Sequence, residues 1–326
     1  MQAEARLSPI RRQDPAARRN LVGVSDNRPN DVVLVSAPGS GPVAAGSVRA
    51  MSDAAASAAQ PRPNETPHLR VERPREGVVV LTLDNPDQRN AMSDEMTASW
   101  AAAVEELAGD RSVRAVVVTG AGSAFCSGGN TGWIASEPDA SVDDLRTRMI
   151  AFYRAWLSIR RLEVPTIAAV NGPAIGAGLC LALACDLRFA SASARLGAPF
   201  VRLGMHPGMA ATYLLPNVVG EAHARDLLLT GRIADAEESV RLGLVSRVFP
   251  DEVFPDEVLG VAEEIAASAP IPSRYTTLAL RDGGHTDFES AVQWEALAQP
   301  ITLATADLQE GIAAAKERRT PRFRGR

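Results

Sequence analysis

The sequence predicts a layered α/β fold followed by a helical C-terminal part. Continuous apolar runs rich in β-branched residues, at 115–118 and 166–170, are typical of buried strands. Segments with helical spacing separate these runs, so strand and helix alternate along the chain, which indicates a layered core with right-handed crossovers. Residues 254–317 show helical spacing almost throughout, and this predicts the C-terminal part.

The individual elements follow in order from periodicity and turn residues. From residue 68 the chain opens with a hairpin, whose strands 69–72 and 78–83 are separated by the turn at 74–77. Ser93 and Glu95 indicate the start of an amphipathic helix that runs to about Leu107. The other predicted helices are 142–161, 176–184 and one that starts near Gly208, and the other predicted strands are 186–189 and 244–249.

The composition limits the classes of protein to which the chain belongs. Its 326 residues suffice for one large domain or two, and 46% apolar with 22% charged residues is the balance of a globular protein. No uncharged apolar run reaches about 18 residues, so we expect no membrane span. A net charge of −5 gives no general reason to bind nucleic acid. Lys316 is the only lysine, which excludes a G-K-[ST] phosphate loop.

Cysteines and histidines are few, and neither forms a metal or redox motif. The cysteines Cys126, Cys180 and Cys185 contain no C-x-x-C pair, and the four histidines contain no H-E-x-x-H. We therefore expect neither a metal site nor a disulfide framework. Free thiols of this kind favour a reducing compartment, so we expect the protein to be cytoplasmic.

Residues 1–66 differ from the rest of the chain in amino-acid composition and periodicity. They are rich in Ala, Arg, Pro and Ser and lack sustained apolar periodicity, so we expect a disordered low-complexity leader. Its arginine pairs are followed by polar residues and not by an apolar stretch, which argues against an export signal. Translation from Met51 instead of Met1 fits the sequence equally well.

Two glycine-rich turns, each after a predicted buried strand, are the most informative feature of the sequence. They are AFCSGGN at 124–130 and NGPAIGAG at 171–178. Without bulky side chains at their tips, both turns let a ligand approach the main chain closely. The second turn opens into a helix, whose first N–H groups favour a negatively charged oxygen. Two such N–H groups at one point would form an oxyanion hole.

The glycines of these turns are also compatible with a purely structural role. Tight packing or turn geometry accounts for them equally well on the residues alone. Dinucleotide binding is less favoured. Neither Gly120-Ala121-Gly122 nor Gly176-Ala177-Gly178 continues as G-x-G-x-x-G with an acidic residue about 20 positions later.

Four segments, in order, resemble the successive signatures of the crotonase (enoyl-CoA hydratase/isomerase) superfamily. They are DNPDQRNAM (84–92), the turn at 124–130, the turn at 171–178 continued by LALACD (181–186), and KERRTPRF (316–323). The resemblance covers residues 68–326 and implies a spiral of ββα units, with a core at 67–250 and a helical trimerisation region at 251–326. It also implies trimers or dimers of trimers. The implied ligand is an acyl thioester of coenzyme A or of a carrier-protein phosphopantetheine, with no separate cofactor.

The resemblance also implies roles for individual positions. The two oxyanion N–H donors would be those of Gly129 and Ala177. Arg89 and Ala91 lie where the family holds the pantetheine and nucleotide part, and Arg318 lies where a C-terminal basic residue meets phosphate. Guanidinium groups suit phosphate oxygens, although a solvated surface role fits each arginine as well.

The sequence departs from the family pattern at two positions. Hydratases of the family use one glutamate in the helix after the second turn and another in the following Gly-x-Pro-Glu turn. Here those positions hold Cys180 and Phe200. Neither side chain shuttles protons as a carboxylate does, so two-glutamate addition of water is not expected. Cys180 suits the acyl pocket or plain apolar packing, and Phe200 suits an aromatic pocket wall.

Further residues near the expected pocket are candidates for its chemistry. His206, in GMHPGM at 204–209, is a candidate acid or base because imidazole exchanges protons near neutral pH; a structural role is the alternative. Asn130 is a candidate to orient a substrate carbonyl or carboxylate, or to cap its turn. Trp133 is a candidate lid or pocket residue, or a core residue. Four acidic residues are further candidates: Glu137, Asp139, Asp143 and Asp144.

Three functions remain open on the sequence. The first is an enzyme that forms the enolate of an acyl thioester and then decarboxylates, isomerises, eliminates or cleaves it. Decarboxylation is favoured among these, because loss of carbon dioxide generates the enolate without a base. The second is hydration or dehydration with His206 as a displaced acid or base. The third is a non-catalytic subunit that binds acyl thioesters.

Overall fold

The computed structural model describes residues 68–130, 140–281 and 287–326. The leader predicted at 1–66, and the candidates Trp133, Glu137 and Asp139, lie outside these ranges. Nine strands lie within them: β1 (Leu69–Arg75), β2 (Val78–Leu83), β3 (Ala115–Gly120), β4 (Thr166–Val170), β5 (Ala174–Ile175), β6 (Leu187–Ser191), β7 (Arg195–Gly197), β8 (Ile233–Asp235) and β9 (Arg247–Phe249).

Six of these strands form the main sheet, in the order β1-β2-β3-β4-β6-β9. The predicted hairpin β1-β2 is antiparallel, and the other neighbouring pairs in the sheet are parallel. The runs at 115–118 and 166–170 are its central strands, β3 and β4, and almost every residue in them is buried. The prediction of a layered α/β core is therefore confirmed.

A second, three-stranded sheet has the order β5-β7-β8. Strand β5 runs parallel to β7, and β7 runs antiparallel to β8. None of these three strands was predicted from the sequence. They are two or three residues long, and an alternation of apolar and polar residues cannot be recognised over so short a length.

Nine α-helices lie in the described part of the chain. They are α1 (Asp94–Gly109), α2 (Val142–Trp156), α3 (Ala177–Ala184), α4 (Ala211–Thr230), α5 (Ala236–Arg241), α6 (Phe254–Ala266), α7 (Pro270–Arg281), α8 (Phe288–Leu303) and α9 (Ala306–Glu317). None of these helices is both long and apolar enough to cross a membrane.

Helix α1 begins where its cap residue predicts. The Ser93 side chain accepts a hydrogen bond from the Met96 N–H at 3.2 Å, which satisfies one of the free amides at the helix start. The helix buries Met96, Trp100 and Leu107 on one face. Trp100 stacks on Trp156 at the end of α2, with the ring centroids 5.1 Å apart.

Helix α2 is shorter than predicted. The α-helix ends at Trp156, and residues Leu157–Arg161 continue it as a 3-10 helix. Ser141 caps its start by accepting a hydrogen bond from the Asp144 N–H at 3.1 Å. The 3-10 segment still buries Ile159 in the core, so the predicted helix at 142–161 is correct in position and wrong only in the type of its last turn.

Apolar side chains cover both faces of the main sheet. The larger core lies on the face of α1, α3 and α4 and includes Trp100, Leu181 and Leu215. On the opposite face, α6 packs Phe254 and Val258 against the sheet. Helix α3 lies so deep in the larger core that all eight of its residues are buried.

A buried ion pair attaches the C-terminal helices to this sheet. The Arg281 guanidinium at the end of α7 binds both carboxylate oxygens of Asp186, each at 2.5 Å. It also donates to the carbonyl oxygens of Leu162 and Val164, between α2 and β4. The side chain of Arg281 is only 3% exposed, so its charge is balanced almost entirely by these partners.

Candidate active site

The two glycine-rich turns meet at one edge of the main sheet. Strands β3 and β4 are parallel neighbours, so the turns that follow them leave the sheet at the same edge. The Asn171 side chain joins their starts, because its amide nitrogen donates to Gly120 O at 2.8 Å and its oxygen accepts from Gly120 N at 3.1 Å. The close approach of the turns is thus a consequence of sheet topology.

The turns are also hydrogen-bonded to each other. The Cys126 N–H donates to Pro173 O at 3.1 Å, and the Ile175 N–H donates to Cys126 O at 3.0 Å. Gly128 has φ +101°, and a Cβ on it would lie 2.8 Å from Ile175 O and 3.4 Å from Ala177 N. Only glycine fits this conformation without displacing the second turn.

The orientation of two peptide groups follows from their carbonyl partners. Gly128 O accepts a hydrogen bond from the Met92 N–H at 2.9 Å, so the Gly129 N–H of the same trans peptide points away from Met92. Gly176 O accepts from the Cys180 N–H inside α3, so the Ala177 N–H points out of the helix start. Among the described residues, neither N–H has a hydrogen-bond partner. The two N–H groups lie close together, since a Cβ on Gly128 would be 3.4 Å from Ala177 N.

Both donors border a cavity of about 300 Å³. Apolar side chains make up most of its wall and come from α2 and from the segment after β7. They are Leu145, Met149, Phe152, Phe200, Leu203, Met205 and Met209. Four of the lining residues have side chains with exchangeable protons: Ser127, Arg148, Tyr153 and His206. No carboxylate of the described residues lines the cavity.

Asn90 stabilises the conformation of the first turn, a role that was not predicted from the sequence. Its fully buried side chain donates to Ala121 O at 2.9 Å and to Ala124 O at 2.8 Å, and its oxygen accepts from Asn85 N at 2.9 Å. Its φ of +55° is a left-handed conformation that asparagine tolerates better than most residues. The segment 84–92 therefore contains a structural residue, Asn90, as well as the substrate-binding candidates Arg89 and Ala91.

Cys180 and Phe200, the two positions without glutamate, differ in their exposure to the cavity. Phe200 is half-buried in the wall, with its ring against Gly176. Cys180 is fully buried and does not line the cavity; its Sγ lies 3.6 Å from Gly208 O, behind the wall. Burial raises the pKa of its thiol to about 12, so the thiol stays protonated.

His206 stands at the cavity with an exposed ring. Its Nδ1 lies 2.8 Å from Pro207 O. Because a carbonyl oxygen only accepts, Nδ1 carries the hydrogen, and in the neutral ring Nε2 then carries the lone pair. His206 thus lies beside the cavity, where it was predicted. Its Nε2 is the ring nitrogen that can accept a proton.

Tyr153 reaches the cavity from α2 and was not singled out from the sequence. Its hydroxyl lies against Gly208, where a Cβ would collide with it. Burial raises the pKa of Tyr153, the nearby Cys180 adds to this, and a hydrogen bond from the Met209 amide opposes it. The spacing of Leu145, Met149 and Phe152 along α2 was the available signal, because it places this helix face toward the core.

The remaining candidates lie around the first turn or farther away. Arg89 and Ala91 do not line the cavity, but Arg89 O accepts a hydrogen bond from Ser127 N at 3.0 Å, beside the first turn. Asn130 is half-buried at the end of that turn. Arg318 is exposed at the C-terminal cap of α9. Asp143 and Asp144 are exposed at the start of α2, outside the cavity wall.

The fold and the site together define a protein of the crotonase class, in which an α/β core brings two glycine-rich turns together above an apolar cavity. The chain belongs to the Enoyl-CoA hydratase/isomerase family, whose sequence model matches residues 73–326. The resemblance that the four sequence segments predicted is thereby confirmed.

Individual relatives support the same assignment. A Mycobacterium tuberculosis protein named probable enoyl-CoA hydratase EchA14 is 40% identical over 252 residues, which cover 74% of this chain and 94% of that protein. The solved structure of an enoyl-CoA hydratase from Bacillus anthracis is 31% identical, covers 80% of this chain and 100% of its own, and gives a TM-score of 0.75. The solved structure of an enoyl-CoA hydratase from Mycobacterium smegmatis is also 31% identical. It covers 79% of this chain and 99% of its own, with a TM-score of 0.74. The predicted crotonase-like fold is confirmed.

Proposed function

We propose that this protein is an enzyme that acts on an acyl thioester of coenzyme A or of a carrier-protein pantetheine. The N–H groups of Gly129 and Ala177 would hold the thioester oxygen and stabilise the negative charge that it gains as an enolate forms. The observation that carries this proposal is that two amides without a hydrogen-bond partner in the described part of the chain border one apolar cavity. Family membership supports the thioester as substrate.

The wall of the cavity favours reactions that form the enolate without a carboxylate base. In decarboxylation the bond between the α-carbon and the carboxyl group breaks, its electron pair forms the enolate, and carbon dioxide leaves. Isomerisation and cleavage of C–C or C–X bonds pass through the same enolate, and where a C–H or O–H proton must be removed to form it, His206 Nε2 would accept that proton. Cys180 and Phe200 stand where the family's glutamates would, and no described carboxylate replaces them at the cavity. We therefore place decarboxylation, isomerisation and lysis ahead of hydration.

The substrate would be held in two parts. The acyl group would enter the cavity of about 300 Å³, whose Phe200 wall suits an apolar or flat group. The pantetheine and nucleotide part would pass Arg89 and Ala91 beside the first turn, with Asn130 near the thioester and Arg318 at a phosphate. Cys180 would not touch the substrate, because its side chain contacts Gly208 and does not line the cavity. We propose no cofactor beyond the coenzyme A or phosphopantetheine of the substrate.

Hydration is the second candidate, and a specific observation favours it. His206 borders the cavity with Nε2 as its basic nitrogen, and the relatives are named for hydration. His206 would then activate water or protonate the product. A third possibility, binding of thioesters without catalysis, is excluded if any thioester is turned over.

We further propose that residues 251–326 mediate assembly into trimers or dimers of trimers. Helix α8 buries none of its side chains within the described chain, and it leaves Phe288 82% and Leu297 72% exposed. Leu280 at the end of α7 is 79% exposed. Apolar exposure on this scale supports a partner surface. Light scattering should give a trimer or hexamer mass, and Leu297→Lys should lower it.

The experiment that tests the reaction is a substrate panel. Purified protein is incubated with malonyl, methylmalonyl, crotonyl and 3-hydroxybutyryl thioesters of coenzyme A, and products are followed by mass spectrometry. We expect loss of carbon dioxide from a malonyl-type thioester. Gain of water by crotonyl-CoA alone would instead support hydration. Binding of acetyl-CoA without turnover of any thioester would leave only the binding function.

A further inference from the structure

The Tyr153 hydroxyl is a polar group placed inside an apolar wall. Of the other α2 residues that line the cavity, Leu145, Met149 and Phe152 are apolar and Arg148 is charged. The hydroxyl occupies space that only a glycine at position 208 leaves open, since any Cβ there would collide with it. Tyr153 is half-buried and lines the cavity, so its side chain is accessible to a molecule that enters the cavity.

The surroundings of this hydroxyl leave its hydrogen available. The Met209 backbone N–H favours the phenolate, since it lowers the pKa of Tyr153 against the effect of burial. Among the described residues, no acceptor takes the O–H hydrogen. The nearby Cys180 thiol has its own acceptor, Gly208 O at 3.6 Å. The O–H is therefore free to donate to a molecule in the cavity.

The location of the hydroxyl relates it to the missing glutamates. Cys180 stands where the resemblance implies the first glutamate of the family's hydratases, and its Sγ lies 3.6 Å from Gly208 O. Gly208 lies between them, in contact with both side chains. The Tyr153 hydroxyl on α2 and the Cys180 thiol on α3 thus lie on either side of the same glycine.

We propose that Tyr153 is a catalytic residue that donates its hydroxyl proton to the α-carbon of the enolate, an assignment that rests on the function proposed above. After carbon dioxide leaves, the Tyr153 O–H bond breaks and its hydrogen bonds to the α-carbon. The electron pair of that O–H bond stays on the phenolate oxygen, where the Met209 N–H stabilises it. Water then returns a proton to the phenolate. The transfer is favourable because a thioester enolate is a stronger base than a phenolate.

The test uses methylmalonyl-CoA in deuterated water, with Tyr153→Phe as the variant. Tyr213→Phe is the matched control, because Tyr213 is 57% exposed on α4 and does not border the cavity. Decarboxylation in this solvent makes propionyl-CoA with one deuterium at the α-carbon, whose handedness shows which face received the proton. Removing a general acid lowers kcat by roughly 10²–10⁴-fold. We expect that loss for Tyr153→Phe, with random handedness, and wild-type kcat and a single handedness for Tyr213→Phe.

The outcomes separate this assignment from the function on which it rests. If Tyr153→Phe keeps the wild-type kcat and a single handedness, the Tyr153 assignment is wrong and the enolate function stands. If the wild type releases no carbon dioxide from methylmalonyl-CoA, the assignment falls together with decarboxylation of this substrate. Binding of acetyl-CoA by calorimetry and the unfolding temperature verify that the variant is folded, so a loss of kcat at unchanged affinity reports on proton transfer.

Discussion

Replacing Ala177 by proline removes one of the two proposed oxyanion donors and leaves its helix in place. Ala177 is the first residue of α3, and the first backbone bond of that turn runs from Cys180 N to Gly176 O. Proline is favoured at the first helical position because the N–H of that residue has no helical partner. Gly176 precedes it with φ 57° and ψ −117°, and it has no Cβ to clash with the proline ring.

The expected effect on catalysis is much larger than the effect on stability. Loss of one donor from an oxyanion hole raises the barrier by about 3–4 kcal/mol, or roughly 10²–10³-fold in kcat. Proline at a position that already has a compatible conformation changes the free energy of unfolding by only about 1 kcal/mol or less. Helix α3 keeps its internal hydrogen bonds in the variant, since the deleted N–H makes none of them.

The assay compares kcat, KM and the unfolding temperature of wild type and variant, with the thioester that the wild type turns over. Asp94→Pro is the matched control, because Asp94 is the exposed first residue of α1, behind the Ser93 cap. It should keep the wild-type kcat. A value of kcat for Ala177→Pro within about tenfold of wild type, or less than about 1.4 kcal/mol in barrier, would refute the donor assignment.

Three further predictions concern the scaffold. Asn90→Ala leaves the carbonyl groups of the first turn without their donor and should lower the free energy of unfolding by about 1–3 kcal/mol in urea denaturation; an unchanged midpoint would contradict this. Arg281→Ala leaves Asp186 without its cation and should cost about 3–5 kcal/mol, which Asp186→Asn in the same chain should partly restore. The three cysteines should resist Ellman's reagent in the native protein at about pH 8 and react after unfolding, because burial raises their pKa from 9.0 to about 12 and the thiolate is the reactive form. Since the folded pKa lies above the unfolded one, their contribution to stability is present below pH 9.0 and is lost as the pH rises toward 12; native labelling at about pH 8 would contradict the burial.

The main sheet was predictable because its strands have a strong local signal. The runs at 115–118 and 166–170 are continuous, apolar and mostly β-branched or small, and they became β3 and β4. Strand β9 starts three residues later than the predicted 244, because Leu244 and Val245 are buried outside the sheet. A buried residue outside the sheet and a buried residue of a strand are both apolar. The sequence therefore predicts the apolar run at 244–249 but not the residue at which strand β9 begins.

The site was predictable where it depends on the main chain. The turns at 124–130 and 171–178 follow neighbouring strands, so their meeting was implied by the order of the sheet. Asn90 and Tyr153 were missed because each acts on residues more than 30 positions away, and no local pattern indicates such a contact. For the same reason, no pattern around Cys180 indicates that its side chain faces Gly208 and not the cavity.

Backbone donors and side-chain acids differ in how far a resemblance can predict them. The Gly129 and Ala177 amides exist whatever their side chains are, and they are positioned by Gly128, Asn90 and the start of α3. A match of the turn sequences therefore predicts the donors. The proton-transfer groups are set by single side chains. Here Cys180 and Phe200 stand where the resemblance implies the family's glutamates, and the Tyr153 hydroxyl lies against Gly208. The same fold and turns can therefore support different reactions, so the Tyr153 and His206 variants test the reaction and the family name does not.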